Sequence, residues 1–240
     1  MSLVFSEPTN KTGAYELFQD LTGTNTDSYP KAKFTRDFNN ALAYYNLLAI
    51  KGSGGQADDT NHPDYNIIKL DIVSGQRDYP ITVDGSVIPN QILDILRVEA
   101  KDAAGVARDL PAYNAMAEEG SLVQALTQTG TPTRQSKLAN GFFLDPTPNY
   151  SYAEGLWIYI SRTPSYFLST DTTKKPGIPD MFHEFLVYRC AYLYCVTKLP
   201  NLANGYFNIL TQGEKDIANY FFWRNRDEKK GMSVRRANNR

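Results

Sequence analysis

Cysteine is nearly absent. Cys190 and Cys195 are the two thiols in 240 residues. Their surroundings predict a helix, where a spacing of five puts them on different faces, too far apart to bridge. Two thiols without a framework fit a reducing compartment. No apolar run approaches the roughly 20 residues of a membrane span, so no membrane partner is expected. The opening Met1-Ser2-Leu3-Val4-Phe5-Ser6-Glu7 lacks the basic region and apolar core of a signal peptide. The expected setting is therefore cytoplasm-like. Asn10-Lys11-Thr12 and Asn149-Tyr150-Ser151 match the glycosylation pattern, which carries no meaning without secretion. Strong charge of either sign is also missing. The net charge of −1 gives no general attraction to nucleic acid or membranes.

What is present is an ordinary globular composition, 42% hydrophobic, with 16 Tyr and 12 Phe. Tyrosine joins a large apolar body to a polar tip, which suits half-buried surfaces and interfaces. The plain alternative is a Tyr-rich core.

The pattern predicts helices, then a β-rich middle, then helices again. Ala14 to Leu21 reads as a short helix. Pro30 to Lys51 is clearer, with Phe34, Phe38, Ala41, Leu42, Tyr45 and Leu48 at helical spacing. Ser28 or Asp27 can cap it, and Gly52 ends it. Gly52 to Pro63 reads as a polar loop. Strands are expected at Ile67–Val73, Ile81–Val83, Ile92–Ala100, Ala107–Leu110, Gly141–Asp145 and Leu156–Arg162, and a short helix at Ala112–Glu119. In the last strand Leu156, Ile158 and Ile160 alternate with Trp157, Tyr159 and Ser161. Asp180 is the expected cap of a helix from Met181 to Lys198, stopped by Pro200. That helix is apolar nearly all round and is read as buried, centrally or between subunits. A final helix over Asn204–Arg226 has Phe207, Leu210, Ile217, Tyr220 and Phe221 on one side.

Chemistry-bearing motifs are sparse. His62 lies in Asp58-Asp59-Thr60-Asn61-His62-Pro63-Asp64, whose spacing matches no calcium loop. A solvated acidic loop is preferred to a metal site there. A metal-dependent enzyme using this segment would lose bound metal in D58A or H62A. His183 reads as a packed or capping residue. Gly52-Ser53-Gly54-Gly55 lacks the ending of a phosphate loop, and no Gly-x-Ser-x-Gly elbow occurs. Neither cysteine has a nucleophile's setting. The expectation is no enzyme activity, no cofactor and no metal.

The most distinctive charge feature is terminal. After Tyr220-Phe221-Phe222-Trp223 come Arg224, Arg226, Lys229, Lys230, Arg235, Arg236 and Arg240 against Asp227 and Glu228, a balance of +5. Aromatics and arginine dominate interface hot spots, so Phe221 to Arg240 reads as a partner-docking segment rather than a merely solubilising end.

Taken in order, several segments resemble the head-to-tail adaptor (connector) proteins of tailed bacteriophages. They are Ser74-Gly75-Gln76-Arg77-Asp78-Tyr79-Pro80 entering a strand, and a strand–turn unit over Ile95–Leu110 with Arg97-Val98 and Gly105. Gly130-Thr131-Pro132 and Gly141-Phe142-Phe143-Leu144-Asp145-Pro146-Thr147-Pro148 follow. Then come Gly155-Leu156-Trp157-Ile158-Tyr159-Ile160-Ser161-Arg162-Thr163-Pro164 and Ile178-Pro179-Asp180-Met181-Phe182-His183-Glu184-Phe185-Leu186. The likeness spans roughly residues 66 to 195.

This resemblance implies a structural virion protein of the neck, assembled in the host cytoplasm. It implies a homo-oligomeric ring, usually a dodecamer, below the portal protein. Such a ring joins head to tail proteins and continues the channel through which DNA passes without sequence-specific binding. The C-terminal segment commonly reaches into the portal, a role that would fall here to Phe221–Arg240.

The expected fold class is α+β. Residues 1–65 and 166–226 would form a helical bundle, 66–165 an inserted β-rich domain (sandwich or barrel-like), and 227–240 a basic tail. The competing function is a tail-side or host-surface module whose β unit binds a ligand such as a glycan through exposed Trp157 and Tyr159.

Overall fold

Aromatic residues three and four apart decide the first helices. In the computed structural model, α1 spans Ala14–Thr22 and α2 spans Lys31–Ser53. Residues 2–53, 59–62, 66–83, 86–87, 92–114, 127–138 and 141–228 are described. Helix α2 buries Phe34, Phe38, Ala41, Leu42 and Tyr45, the stripe its sequence marks. Ahead of it the side chains of Asn25 and Ser28 organise the turn together, the Ser28 hydroxyl accepting from the Asn25 N–H at 3.0 Å. Asn25 Oδ1 accepts from the Asp27 and Ser28 backbone N–H groups at 3.1 and 2.8 Å.

The chain divides into two compact units, one of Met1–Asn61 with Pro164–Arg240 and one of His62–Thr163. The first holds the helices. Residues 3–6 run extended against residues 172–174, with the Phe5 N–H donating to the Lys174 carbonyl at 2.8 Å. Glu16, buried in the first turn of α1, accepts from the Ser6 hydroxyl at 2.7 Å and the Glu7 N–H at 2.8 Å. Gly13 is required at this crossing, because a Cβ there would sit 2.2 Å from the Glu16 carboxylate and 2.4 Å from the Glu7 nitrogen.

A 3-10 turn over Asp180–Phe182 leads into α3, His183–Lys198. Asp180 opens that turn and makes no side-chain cap. Only Leu199 separates α3 from α4, Pro200–Glu228. Pro200 therefore starts a helix as well as ending one, since its fixed φ suits a first helical turn. Helix α3 packs on α1, α2 and α4, and α4 also packs on α2. Phe5, Phe18, Phe34, Phe38, Phe167, Tyr15 and Tyr29 lie buried together. Ring centroids 4.7 to 5.7 Å apart give the tilted, edge and stacked contacts that aromatic quadrupoles favour.

The second unit is built on antiparallel sheets. Its strands are β1 Ile67–Ile72, β2 Asp78–Pro80, β3 Thr82–Val83, β4 Ser86–Val87, β5 Ile92–Lys101 and β6 Ala107–Asp109. They continue as β7 Thr129–Gly130, β8 Arg134–Leu138, β9 Gly141–Asp145, β10 Thr147–Pro148 and β11 Tyr152–Arg162. One sheet has the order β1-β11-β5-β6 and another β2-β9-β8. Both are open, so the expectation of a barrel is not met among the described residues. Ile68, Val98, Leu156, Ile158 and Ile160 from the first sheet share a core with Tyr79, Phe142 and Leu144 from the second. Period-two alternation puts these residues inside and leaves Trp157 and Tyr159 half-buried on the outer face.

Three elements differ from expectation. Asp78–Pro80, just ahead of the strand expected at Ile81–Val83, itself pairs with β9 as a strand. Strand β8, Arg-Gln-Ser-Lys-Leu, carries no apolar alternation, yet it pairs with β9 on one side and with residues 111–113 on the other, and Gln135 and Ser136 are buried. Ala112 does not begin a helix. It bridges to Gln135, and most of Ala112–Glu119 lies outside the described residues.

Candidate functional site

Helix α4 carries the proposed docking end. It lies antiparallel to α3, with Tyr192 on Phe207 at 6.1 Å and Phe182 on Tyr220 at 5.4 Å between ring centroids. Between these pairs Phe185 occupies the space over Gly213, where a Cβ would come within 2.7 Å of the ring. Leu210, Ile217 and Phe221 face inward. Their spacings of seven and four return to one face of a helix with 3.6 residues per turn.

That geometry splits the aromatic run. Phe221 is 2% exposed, packed on the Tyr45 ring at 6.2 Å and beside Gly52 of α2. It is a core residue, which corrects its place in the docking set. Phe222 and Trp223 are 56% and 55% exposed, their rings edge to face at 6.1 Å. The Arg224 guanidinium lies 5.1 Å from the Phe221 ring. Arg226 occupies the helical backbone of the last turn, while Lys229, Lys230, Arg235, Arg236 and Arg240 lie outside the described residues.

More apolar surface is exposed than the sequence suggested. Leu193 and Val196 of α3 are open, so that helix is not buried all round. Leu202, Phe207 and Ile209 of α4 are about half exposed, which corrects Phe207 as an inward residue. Leu202, Ile209 and Trp223 share one flank of α4 by helical period.

The remaining candidates have structural partners. His183 is 1% exposed. Its Nδ1 accepts from the Leu3 N–H at 3.0 Å, which leaves Nε2–H to donate to the Ile178 carbonyl at 3.0 Å. Burial pushes its pKa below the ordinary value. The imidazole thus ties the N-terminal segment to the start of α3. Asp59 accepts from the backbone N–H groups of Asn61 at 2.9 Å and Ser165 at 2.7 Å. His62 Nε2 lies 3.0 Å from the Thr163 carbonyl. These two residues hold chain crossings. Asp58 and Asp64 lie outside the described residues, among which no three His, Cys, Asp or Glu side chains are grouped to hold a metal. Both cysteines are buried and unbridged. Burial pushes both thiols up, Cys190 the further.

On the outer face of the larger sheet, register brings together residues that sequence reasoning did not connect. Trp157 pairs with Lys69 on one side and Glu99 on the other, and Tyr159 with Ile67 and Arg97. Glu154 nearby has φ of 45°, a left-handed conformation that costs a non-glycine residue about 1–2 kcal/mol. Its N–H donates to Asp71 Oδ1 at 2.7 Å, and its carbonyl accepts from Trp157 Nε1–H at 2.9 Å. No sequence motif announces this arrangement, because bulges in the register set it.

Compared with known proteins, the sequence matches no family model, and no curated protein aligns with it significantly.

Proposed function

We propose that this protein is a structural virion component, an adaptor subunit that forms a ring below the portal and joins the DNA-filled head to the tail. In this reading the N- and C-terminal helices form a bundle that is the body of the ring, and the β-rich unit is an insertion. The observation that carries it is the exposed apolar surface of α3 and α4, running to Phe222 and Trp223 and followed by the basic C-terminus. A closed ring needs two different, complementary faces on each subunit, and apolar side chains left open on a monomer supply them. Twelve copies of a +5 segment would form a basic collar facing the portal or the DNA channel, holding DNA by charge without reading its sequence. The order of the strand and turn segments over residues 66–195 supports the same reading through its resemblance to the adaptor family.

The test is negative-stain electron microscopy of the purified protein, alone and mixed with its candidate portal. Rings, or a collar added to the portal, are the expected result. A persistent monomer that leaves the portal bare overturns the reading. Removal of residues 227–240 should leave the fold intact and weaken portal attachment, since the segment holds few apolar residues. Equal attachment by the truncated chain would sink the docking role.

A further inference from the structure

The outer face of the β1-β11-β5-β6 sheet carries a small cleft lined by Glu99, Ala100, Lys101, Ala107, Gly155 and Trp157. Its volume is about 90 Å³, against the roughly 10–15 Å³ that one water needs by the same measure.

Trp157 is held in place before any ligand arrives. Its indole N–H is spent on the Glu154 carbonyl at 2.9 Å, so the ring offers only its π-face. Glu154 makes that bond from a left-handed backbone conformation, anchored by the Asp71 carboxylate. Non-glycine residues kept in such conformations cluster at functional sites, where strain fixes a group in advance. Prior fixing of a binding group reduces the ordering cost of association.

The charges around the ring are mixed and unevenly matched. Lys69 Nζ lies 4.7 Å and Lys101 Nζ 5.3 Å from the Trp157 ring centre, and Lys101 is 5.4 Å from the Tyr152 ring. Arg97 pairs with Glu99 at 2.7 Å and Asp109 at 3.5 Å, and Lys69 with Glu154 at 3.5 Å. Two ammonium groups therefore lie over the fixed indole, that of Lys101 without an ion pair among the described residues, and a ring that stacks on Trp157 displaces one of them.

We propose that this cleft binds a sugar that carries a carboxylate. The apolar C–H face of a pyranose stacks on the indole. Its hydroxyls, each both donor and acceptor, meet Lys69, Arg97, Glu99 and Glu154. The carboxylate meets Lys101. An acidic peptide fits less well, because it has no flat apolar ring to offer Trp157, and its several carboxylates would oppose Glu99 and Glu154. This inference goes beyond the adaptor reading and stands on the β unit alone, so failure to form rings would leave it untouched.

The full-length protein is titrated calorimetrically with trigalacturonate and sialyllactose, and with the neutral sugars maltotriose and lactose. At least one acidic sugar should bind tenfold or more tightly than either neutral one. Lys101→Gln should erase that preference, and Trp157→Ala should abolish binding, both with unchanged circular dichroism because the side chains are half-exposed. Four outcomes overturn the proposal. They are no binding of either acidic sugar at millimolar concentration, an unchanged preference in Lys101→Gln, acetate competing as well as the sugars, and binding that survives in Trp157→Ala. The last would place the ligand away from the Trp157 cleft.

Discussion

Phe221→Ala and Phe222→Ala remove the same side chain from adjacent positions of α4, and they should behave oppositely. Phe221 is buried against Tyr45 and Tyr220, and its Cβ faces Gly52 of α2. A Cβ added at Gly52 would lie 3.0 Å from that of Phe221 and 2.9 Å from the Ala218 carbonyl. The helix backbones therefore meet closely there, and Gly52 has no side chain to swing into a void. A cavity left by Phe221→Ala stays open. Truncation of a buried phenylalanine costs about 3–5 kcal/mol when the surroundings do not collapse. The lower end applies here, two turns from the end of α4. With a urea dependence of about 2 kcal/mol/M, a loss of about 3 kcal/mol lowers the midpoint by roughly 1.5 M. Phe222 is 56% exposed, and its truncation should stay within about 0.5 kcal/mol of the parent. The assay is urea unfolding followed by circular dichroism at the helical wavelength. The reasoning fails if F221A unfolds within about 0.3 M of the parent, or if F222A falls as far. Under the proposed adaptor role, portal attachment should show the reverse order, with F222A impaired.

Four further outcomes are expected. His183→Gln should cost roughly 1–3 kcal/mol, because Leu3 N–H or Ile178 C=O loses its partner, read by thermal or urea unfolding. Burial holds the folded-state pKa of His183 below 6.5, so the folded protein binds fewer protons than the unfolded chain. Its contribution is present above pH 6.5 and is lost as pH falls below it. The stability gap between parent and H183Q should therefore narrow from pH 7.5 to 5.5, and a constant gap would refute this. Gly205→Ala and Gly213→Ala should have opposite signs in the same helix. Position 205 has open space and gains about 1 kcal/mol of helix propensity, whereas a methyl at 213 meets the Phe185 ring and costs about 1–3 kcal/mol in overpacking. Glu154→Gly should raise thermal stability by about 1 kcal/mol by releasing the left-handed strain, and a net loss would show that the conformation is not costly.

Periodicity made much of the fold legible. Helix α2 follows from Phe34, Phe38, Ala41, Leu42 and Tyr45, and the inner face of β11 from Leu156, Ile158 and Ile160. What failed was local and has local reasons. Pro200 carries the same signal whether a helix stops before it or starts on it. Strand β8 is held by backbone pairing to β9 on one side and to residues 111–113 on the other, so it forms without the apolar alternation that would mark it in sequence. The buried role of Phe221 was within reach, since its spacing to Leu210 and Ile217 names the inner stripe of α4. The run Tyr-Phe-Phe-Trp drew attention as a block, although successive residues turn 100° around a helix and cannot share a face.

The sequence by itself determined the buried stripe of α2 and the inner face of β11, where burial follows the period of apolar side chains along the chain. It also determined the basic end, because charge is simply counted. Tertiary structure decided which aromatic of the last helix is core and which is surface, because that depends on where α2 and α3 lie. It decided that His183 ties down a segment 180 residues away in sequence. It alone placed Lys69, Glu99 and Lys101 around Trp157, because strand register is a relation between segments that no single segment contains.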